Sequence, residues 1–150
     1  MLMAALMAAV FSTPLRASDT ESSAWQLVNY WSEWCAPCRV EIPMLNQLSE
    51  LFSPEQVVIT GVNFDEDPRA VTLDIAADMD IRFYVLTMTE VGELNLRPPD
   101  VLPTTYILAP DNSVVAKLIG EQSKDDILDA LKELGLTIPI EAGRGLKLDE

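Results

Sequence analysis

The two cysteines of the chain, Cys35 and Cys38, lie in the segment NYWSEWCAPCRVEIP, residues 29–43. An apolar run precedes them and a helical pattern follows, which predicts a strand-to-helix turn at Cys35. A helix N-terminus carries free N–H groups and a partial positive charge, and both stabilise a thiolate. The spacing therefore predicts a redox dithiol. Cys35 is the nucleophile, and Cys38 then attacks the mixed disulfide and releases the product.

Three other interpretations of this cysteine pair are open. A purely structural disulfide across so short a loop would constrain little of the unfolded chain. A zinc site needs four ligands, and the chain has no histidine and no further cysteine. Two inert core thiols would not need this placement. A CxxC pair beside a βαβ pattern favours the redox interpretation, in which the dithiol is itself the redox centre and no cofactor or metal is needed.

Glu41 lies on the apolar stripe of the predicted helix, three residues after Cys38 and on the same face. We expect a half-buried carboxyl group there, whose pKa is raised towards neutrality by desolvation. Such a group can take the proton from Cys38 when that thiol attacks. The alternative is a surface glutamate that only interacts favourably with the helix dipole. The apolar members of the stripe are Met44, Leu45, Leu48, Leu51 and Phe52.

The elements that must position these groups follow from apolar runs and turn signals. Strands are predicted at 25–31, 57–64 and 81–86, and a hairpin is predicted from TTYIL, APDNS and VVAKLI. Helices are predicted from CAPC to Phe52, from Pro68 to about Met79, and from the cap Ser123 to Gly135. The last helix carries one apolar face, made of Ile127, Leu128, Leu131 and Leu134. This order predicts an α/β fold, a mixed sheet with helices on both faces.

The motif WCAPC after an apolar strand, with LPTTYIL about 65 residues later, resembles the thioredoxin superfamily. Within it, NYWSEWCAPCRVEIP is most similar to the TlpA-like (TlpA/ResA/DsbE type) extracytoplasmic thiol-disulfide oxidoreductases. The resemblance covers roughly residues 25–136 and implies a thioredoxin fold. TlpA-like domains usually begin with a hairpin before the first core strand. Only a short linker precedes that strand here, so we expect a version trimmed at the N-terminus.

The resemblance also implies roles for residues around the cysteines. Pro103 would be a cis-proline beside the active site, and its loop would offer backbone groups to an extended substrate segment. Leu102 and Thr104 would then lie at the substrate groove. TlpA-like proteins carry a functional glutamate at the offset of Glu41, whereas general thioredoxins use an aspartate at the position of Asn29.

Two further residues of the motif have predicted roles. Trp34 is expected to shield Cys35 and to form part of a docking surface. Pro37 is expected to fix the first turn of the helix, since proline is tolerated there.

Composition excludes several classes of function. The chain has 150 residues, 49% of them hydrophobic, which is enough for one globular domain with a core. A formal charge of −14 would repel phosphate backbones, so we expect no nucleic-acid partner. Without histidine, Ser-His and Cys-His hydrolysis are excluded. We expect the domain to act as a monomer.

The first residues differ from the rest. MLMAALMAAVF is apolar but shorter than the roughly 20 residues that span a bilayer. We predict a signal peptide or anchor at 1–17, with possible cleavage after Ala17. A linker at 18–24, the thioredoxin-like domain at 25–136 and a C-terminal tail at 137–150 follow.

Together these observations predict a periplasmic thiol-disulfide oxidoreductase that reduces protein disulfides and is itself reduced by a membrane thiol carrier. Two alternatives stay open. One is a general cytoplasmic thioredoxin. The other is a non-catalytic thioredoxin-fold binder, for example a copper chaperone that holds Cu(I) on the two thiolates.

Overall fold

The computed structural model describes residues 24–136 and residue 138. The predicted leader at 1–17, the linker up to residue 23 and, apart from residue 138, the tail at 137–150 lie outside the described residues. In the described ranges, no helix is both long and apolar enough to cross a membrane.

Five strands form one mixed sheet, in the order β3-β2-β1-β4-β5. The β1–β2 and β2–β3 pairs are parallel, and the β1–β4 and β4–β5 pairs are antiparallel. The strands are β1 (Trp25–Trp31), β2 (Val57–Asn63), β3 (Tyr84–Val85), β4 (Thr104–Leu108) and β5 (Val114–Ile119). The helices are α1 (Ala36–Leu51), α2 (Arg69–Asp78), α3 (Met88–Leu94) and α4 (Lys124–Glu133). The predicted mixed sheet and its hairpin are confirmed.

Side chains alternate between the two faces of the sheet along each strand. On β1, Leu27 packs with residues of α1 and α4, and Trp31 packs with residues of α1 and α2. Val28 and Tyr30 point to the opposite face and pack with Val91 of α3. The sheet is therefore covered by helices on both faces, as the element order predicts.

The segment between α2 and β4 differs from the prediction. The predicted strand at 81–86 is reduced to the two residues of β3, and α3 was not predicted. A capping box begins this helix, because Thr87 accepts from the N–H of Glu90 while the Glu90 carboxylate accepts from the N–H of Thr87. Since Val91 is the only buried residue of α3, the apolar periodicity of so short a helix is too weak to detect.

Two smaller predictions are also wrong. Pro68 is the N-cap of α2 rather than its first helical residue, and no side chain caps this helix. Leu51, the last residue of α1, is half exposed instead of buried. Phe52 follows in extended conformation and fills the core at that end of the helix.

Gly61 in the middle of β2 lies directly against Trp31. A Cβ atom at this position would come within 2.7 Å of Trp31 Nε1 and 2.9 Å of Phe83 Cε2. Trp31 is fully buried and belongs to the cluster that contains both cysteines. Because Gly61 has no side chain, the indole of Trp31 can lie directly against β2, in the cluster that contains both cysteines.

We expect Gly61→Ala to lower the free energy of unfolding by about 1–3 kcal/mol, because the added methyl group overpacks this site. Gly92→Ala in α3 is the matched control, since nothing lies within 4 Å of its added Cβ. In a helix this change should be neutral or stabilising by up to about 1 kcal/mol. Urea denaturation of both variants measures the difference, and equal effects would contradict the close packing at Gly61.

Candidate active site

Cys35 and Cys38 form a disulfide at the start of α1. Cys35 is the N-cap of this helix, and the Cys38 N–H lies 3.2 Å from Cys35 Sγ and donates to it. Pro37 is in the first turn, where its lack of an N–H costs no helical hydrogen bond. When the disulfide is reduced, the Cys38 N–H and the positive end of α1 both favour a thiolate on Cys35.

The disulfide lies on an apolar cluster. Both cysteines are buried, and they pack with residues of β1, α1, α2 and β3. Leu102, which precedes Pro103, is half-buried against the same cluster. Chain topology therefore brings the proline loop beside the cysteines although about 65 residues separate them in sequence. The remaining members of the cluster are Trp31, Ile42, Ala76, Met79 and Val85.

Glu41 is more deeply buried than the half-buried group predicted from the sequence, with 2% of its surface exposed. Its Oε1 accepts from the main-chain N–H of Gln122 at 3.1 Å, and its Oε2 accepts from Asn29 Nδ2 at 3.1 Å. Burial raises the pKa of Glu41 from 4.5 to about 7, while these two donors lower it and the charge of Glu121 raises it slightly further. This carboxyl group can therefore exchange a proton near neutral pH.

Asn29 connects Glu41 to the sheet. It is buried on β1, and its Nδ2 also donates to Thr105 Oγ1 on β4 at 2.9 Å. Asn29 and Thr105 are paired across the antiparallel strands, which places both side chains on the face covered by α1. Thr105 and Gln122 were not identified from the sequence, because only the strand register and the turn after β5 bring them to Glu41.

The proline loop is fixed by hydrogen bonds of its own. The peptide bond between Leu102 and Pro103 is cis, and the Pro103 carbonyl oxygen accepts from Gly120 N–H at 2.8 Å. Thr104 is buried, and its hydroxyl donates to the Val101 carbonyl oxygen at 2.8 Å. Its hydroxyl is therefore occupied within the loop, and Thr104, which is paired with β1 and β5, presents no exposed surface. Val101 is half exposed beside it.

Trp34 is the most exposed large apolar side chain in the described part of the chain, at 67%. Its indole N–H donates to Asp65 Oδ1 at 3.1 Å, and its ring meets Phe64 edge to face. The hydroxyl of Ser32 donates to the other oxygen of Asp65. Asp65, in the loop after β2, therefore fixes the loop that carries Ser32 and Trp34. The contact between Asp65 and Trp34 was not predicted from the sequence, because it joins two loops that lie far apart in the chain.

Within residues 24–136, no three His, Cys, Asp or Glu side chains are grouped so that they could hold a metal ion.

Comparison with known proteins finds thiol-disulfide oxidoreductases that are similar to this chain. Thiol-disulfide oxidoreductase ResA of Bacillus cereus (strain ZK / E33L) is 30% identical over 107 residues, which cover 71% of this chain and 61% of that protein. ResA of Bacillus subtilis (strain 168) is 29% identical over 102 residues, 68% of this chain and 56% of that protein. The chain thus spans about 56–61% of the length of these relatives.

Solved structures share the fold at lower identity. StoA from Bacillus subtilis has a TM-score of 0.57 at 18% identity, covering 76% of this chain and 84% of StoA. A protein described as a putative thiol:disulfide interchange protein DsbE from Chlorobium tepidum has a TM-score of 0.60 at 19% identity, covering 77% of this chain and 81% of that one. The AhpC/TSA family model matches residues 9–117. The chain therefore belongs to the AhpC/TSA family of the thioredoxin superfamily, and its domain has the thioredoxin fold.

Proposed function

We propose that this protein is a thiol-disulfide oxidoreductase that reduces protein disulfides through Cys35 and Cys38. The observation that carries the proposal is the Cys35–Cys38 disulfide at the N-terminus of α1, with the buried carboxyl group of Glu41 on the same helix. The ResA relatives, which are named thiol-disulfide oxidoreductases, support the same chemistry.

The proposed reaction uses Cys35, Cys38 and Glu41 in turn. The Cys35 thiolate attacks one sulfur of a substrate disulfide, so a mixed disulfide forms and the other substrate sulfur leaves as a thiolate. Cys38 then gives its proton to Glu41 and attacks Cys35 Sγ. The Cys35–Cys38 bond forms, and the second substrate sulfur leaves. Two electrons have passed from the dithiol to the substrate, and no cofactor takes part.

Trp34 and the proline loop are the proposed substrate surface. Trp34 is exposed beside Cys35, and Leu102 borders the cluster that holds the disulfide. An extended protein segment can lie against Leu102 and the exposed Val101 of this loop with its disulfide at Cys35. We further propose a periplasmic location, in keeping with the apolar run at the start of the sequence.

Substitution of each cysteine separates their roles. Cys35→Ser should abolish reduction of a protein disulfide such as that of insulin. Cys38→Ser should still attack and then accumulate as a covalent adduct, which mass spectrometry detects. Normal turnover by Cys38→Ser would contradict the assignment. Stoichiometric Cu(I) binding by a wild-type protein without reductase activity would instead favour the copper chaperone.

Substitution of Glu41 tests the proton transfer. Glu41→Gln keeps the size of the side chain and removes the titratable proton. Release of the mixed disulfide should slow by about 100-fold or more, the usual range for loss of a general base, while its formation changes little. Stopped-flow kinetics measures both steps. In the wild type the release rate should rise with pH through a midpoint near 7, and this inflection should disappear in the variant.

The pH dependence of the free energy of unfolding, measured for the wild type and for Glu41→Gln, tests the burial of Glu41 independently of its role in the reaction. Because the pKa in the folded state is raised from 4.5 to about 7, the unfolded state releases the proton first as the pH rises. The stabilising contribution of the protonated carboxyl group is therefore fully present below pH 4.5. It is lost as the pH rises from 4.5 to about 7, by about 3 kcal/mol in total, and stability does not change further above that pH. Glu41→Gln should lack this component. If the stability of the two proteins changed with pH in the same way, the carboxyl group of Glu41 would not be desolvated.

The reduction potential tests the direction of the reaction. Oxidants such as DsbA, at about −120 mV, owe their potential to an unusually stabilised reduced form. Here Ala36 and Pro37 between the cysteines carry no charge, and Arg39 instead bonds the Glu33 carbonyl oxygen and Asp78. We expect a potential between about −280 and −200 mV, measured in glutathione buffers, and hence a membrane thiol carrier as electron donor. A value above about −150 mV would indicate an oxidase.

A further inference from the structure

The turn between β5 and α4, residues 120–122, contacts both the proline loop and Glu41. Gly120 has a φ of +86°, a conformation that glycine adopts without strain, and its N–H donates to the Pro103 carbonyl oxygen. At the other end, Ser123 caps α4 in a capping box with Asp126. The turn is therefore fixed where it enters and where it leaves.

The side chain of Gln122 folds back on this turn. Its Nε2 lies 2.9 Å from the carbonyl oxygen of Gly120, with the carbonyl oxygens of Glu121 and Ile119 at 3.3 and 3.4 Å. The bond to Gly120 is the shortest of the three. The amide thus closes a small ring across the turn and limits the conformations of the Gln122 main chain.

The Gln122 main chain supplies one of the two donors to Glu41. The other donor, Asn29, is held inside the sheet by its pairing with Thr105. The position of the Gln122 N–H depends instead on the conformation of the turn. We propose that Gln122 is a positioning residue for Glu41: its side-chain amide fastens the turn, and the turn directs the main-chain N–H of Gln122 to Glu41 Oε1.

Loosening the turn should raise the pKa of Glu41, because a hydrogen bond to the charged form favours that form. We expect an increase of several tenths to about one unit. At pH 7, one unit lowers the charged fraction from about one half to about one tenth. The charged group that acts on Glu41 is Glu121 on the same turn, whereas β1 and β4 present the neutral side chains of Asn29 and Thr105.

Gln122→Met removes the side-chain donor at similar length and leaves the main-chain N–H in place. Gln26→Met is the matched control, since Gln26 Nε2 makes one side-chain bond, to Asn112, away from Glu41. The readout is the titration of the Glu41 carboxyl carbon by NMR in the oxidised protein, in which the cysteines do not titrate. Gln122→Met should raise the midpoint, and Gln26→Met should leave it unchanged.

A second pair of variants changes the turn through its backbone. Gly120→Ala and Gly135→Ala both add a methyl group at a positive φ with open space around it. Only Gly120 belongs to the turn, so only Gly120→Ala should raise the Glu41 midpoint. Glu121→Gln should lower the midpoint, because it removes a neighbouring negative charge. This opposite direction separates loss of positioning from loss of charge.

The inference depends on the proposed function only for its kinetic consequence. An unchanged midpoint in Gln122→Met, or an equal shift in its control Gln26→Met, would overturn it; an unchanged midpoint in Gly120→Ala would show that the turn does not position the Gln122 N–H. The pH profile of mixed-disulfide release should move upward with the NMR midpoint. If the NMR midpoint moves and the release profile does not, Gln122 does position Glu41, but Glu41 is not the group that takes the proton from Cys38.

Discussion

A single buried carboxyl group sets the main constraint on this site. Transfer of a carboxylate into an apolar interior is unfavourable unless hydrogen bonds compensate for the lost water. Glu41 receives two such bonds, one from Asn29 on β1 and one from the turn before α4. They offset part of the desolvation and leave a pKa of about 7, so neither protonation state dominates near neutral pH. A carboxyl group with more donors would remain ionised, and one with none would remain neutral.

The site depends on contacts from several distant segments of the domain. The cysteines and Glu41 lie on α1, but the groups that hold Glu41 come from β1, β4 and the turn after β5. That turn also bonds the carbonyl oxygen of Pro103. Helix α1, which carries the cysteine pair and Glu41, is therefore connected to the proposed substrate loop through hydrogen bonds between distant parts of the chain.

The packing beneath the disulfide is equally specific. The indole of Trp31 fills the space left by Gly61 and supports the cluster on which Cys35 and Cys38 lie. On the outer side, Asp65 holds the exposed Trp34 by its indole N–H. The two tryptophans of the motif thus have different physical roles. One is a core side chain on the sheet, and the other lies at the surface, where a partner can reach it.

The amino-acid sequence by itself determined the dithiol, the helix on which it lies and the mixed sheet, because these depend on local spacing and apolar periodicity. The family was indicated by the resemblance of the motifs WCAPC and LPTTYIL to known proteins. The sequence also indicated Glu41, since a carboxyl group on an apolar stripe is unusual. The tertiary structure alone decided how deeply Glu41 is buried and that Asn29, Thr105 and Gln122 surround it. It also decided that Asp65 reaches Trp34, and that a short helix, α3, follows the two-residue strand β3. These features depend on strand register and on contacts between residues far apart in the chain, and no pattern within one segment encodes such contacts.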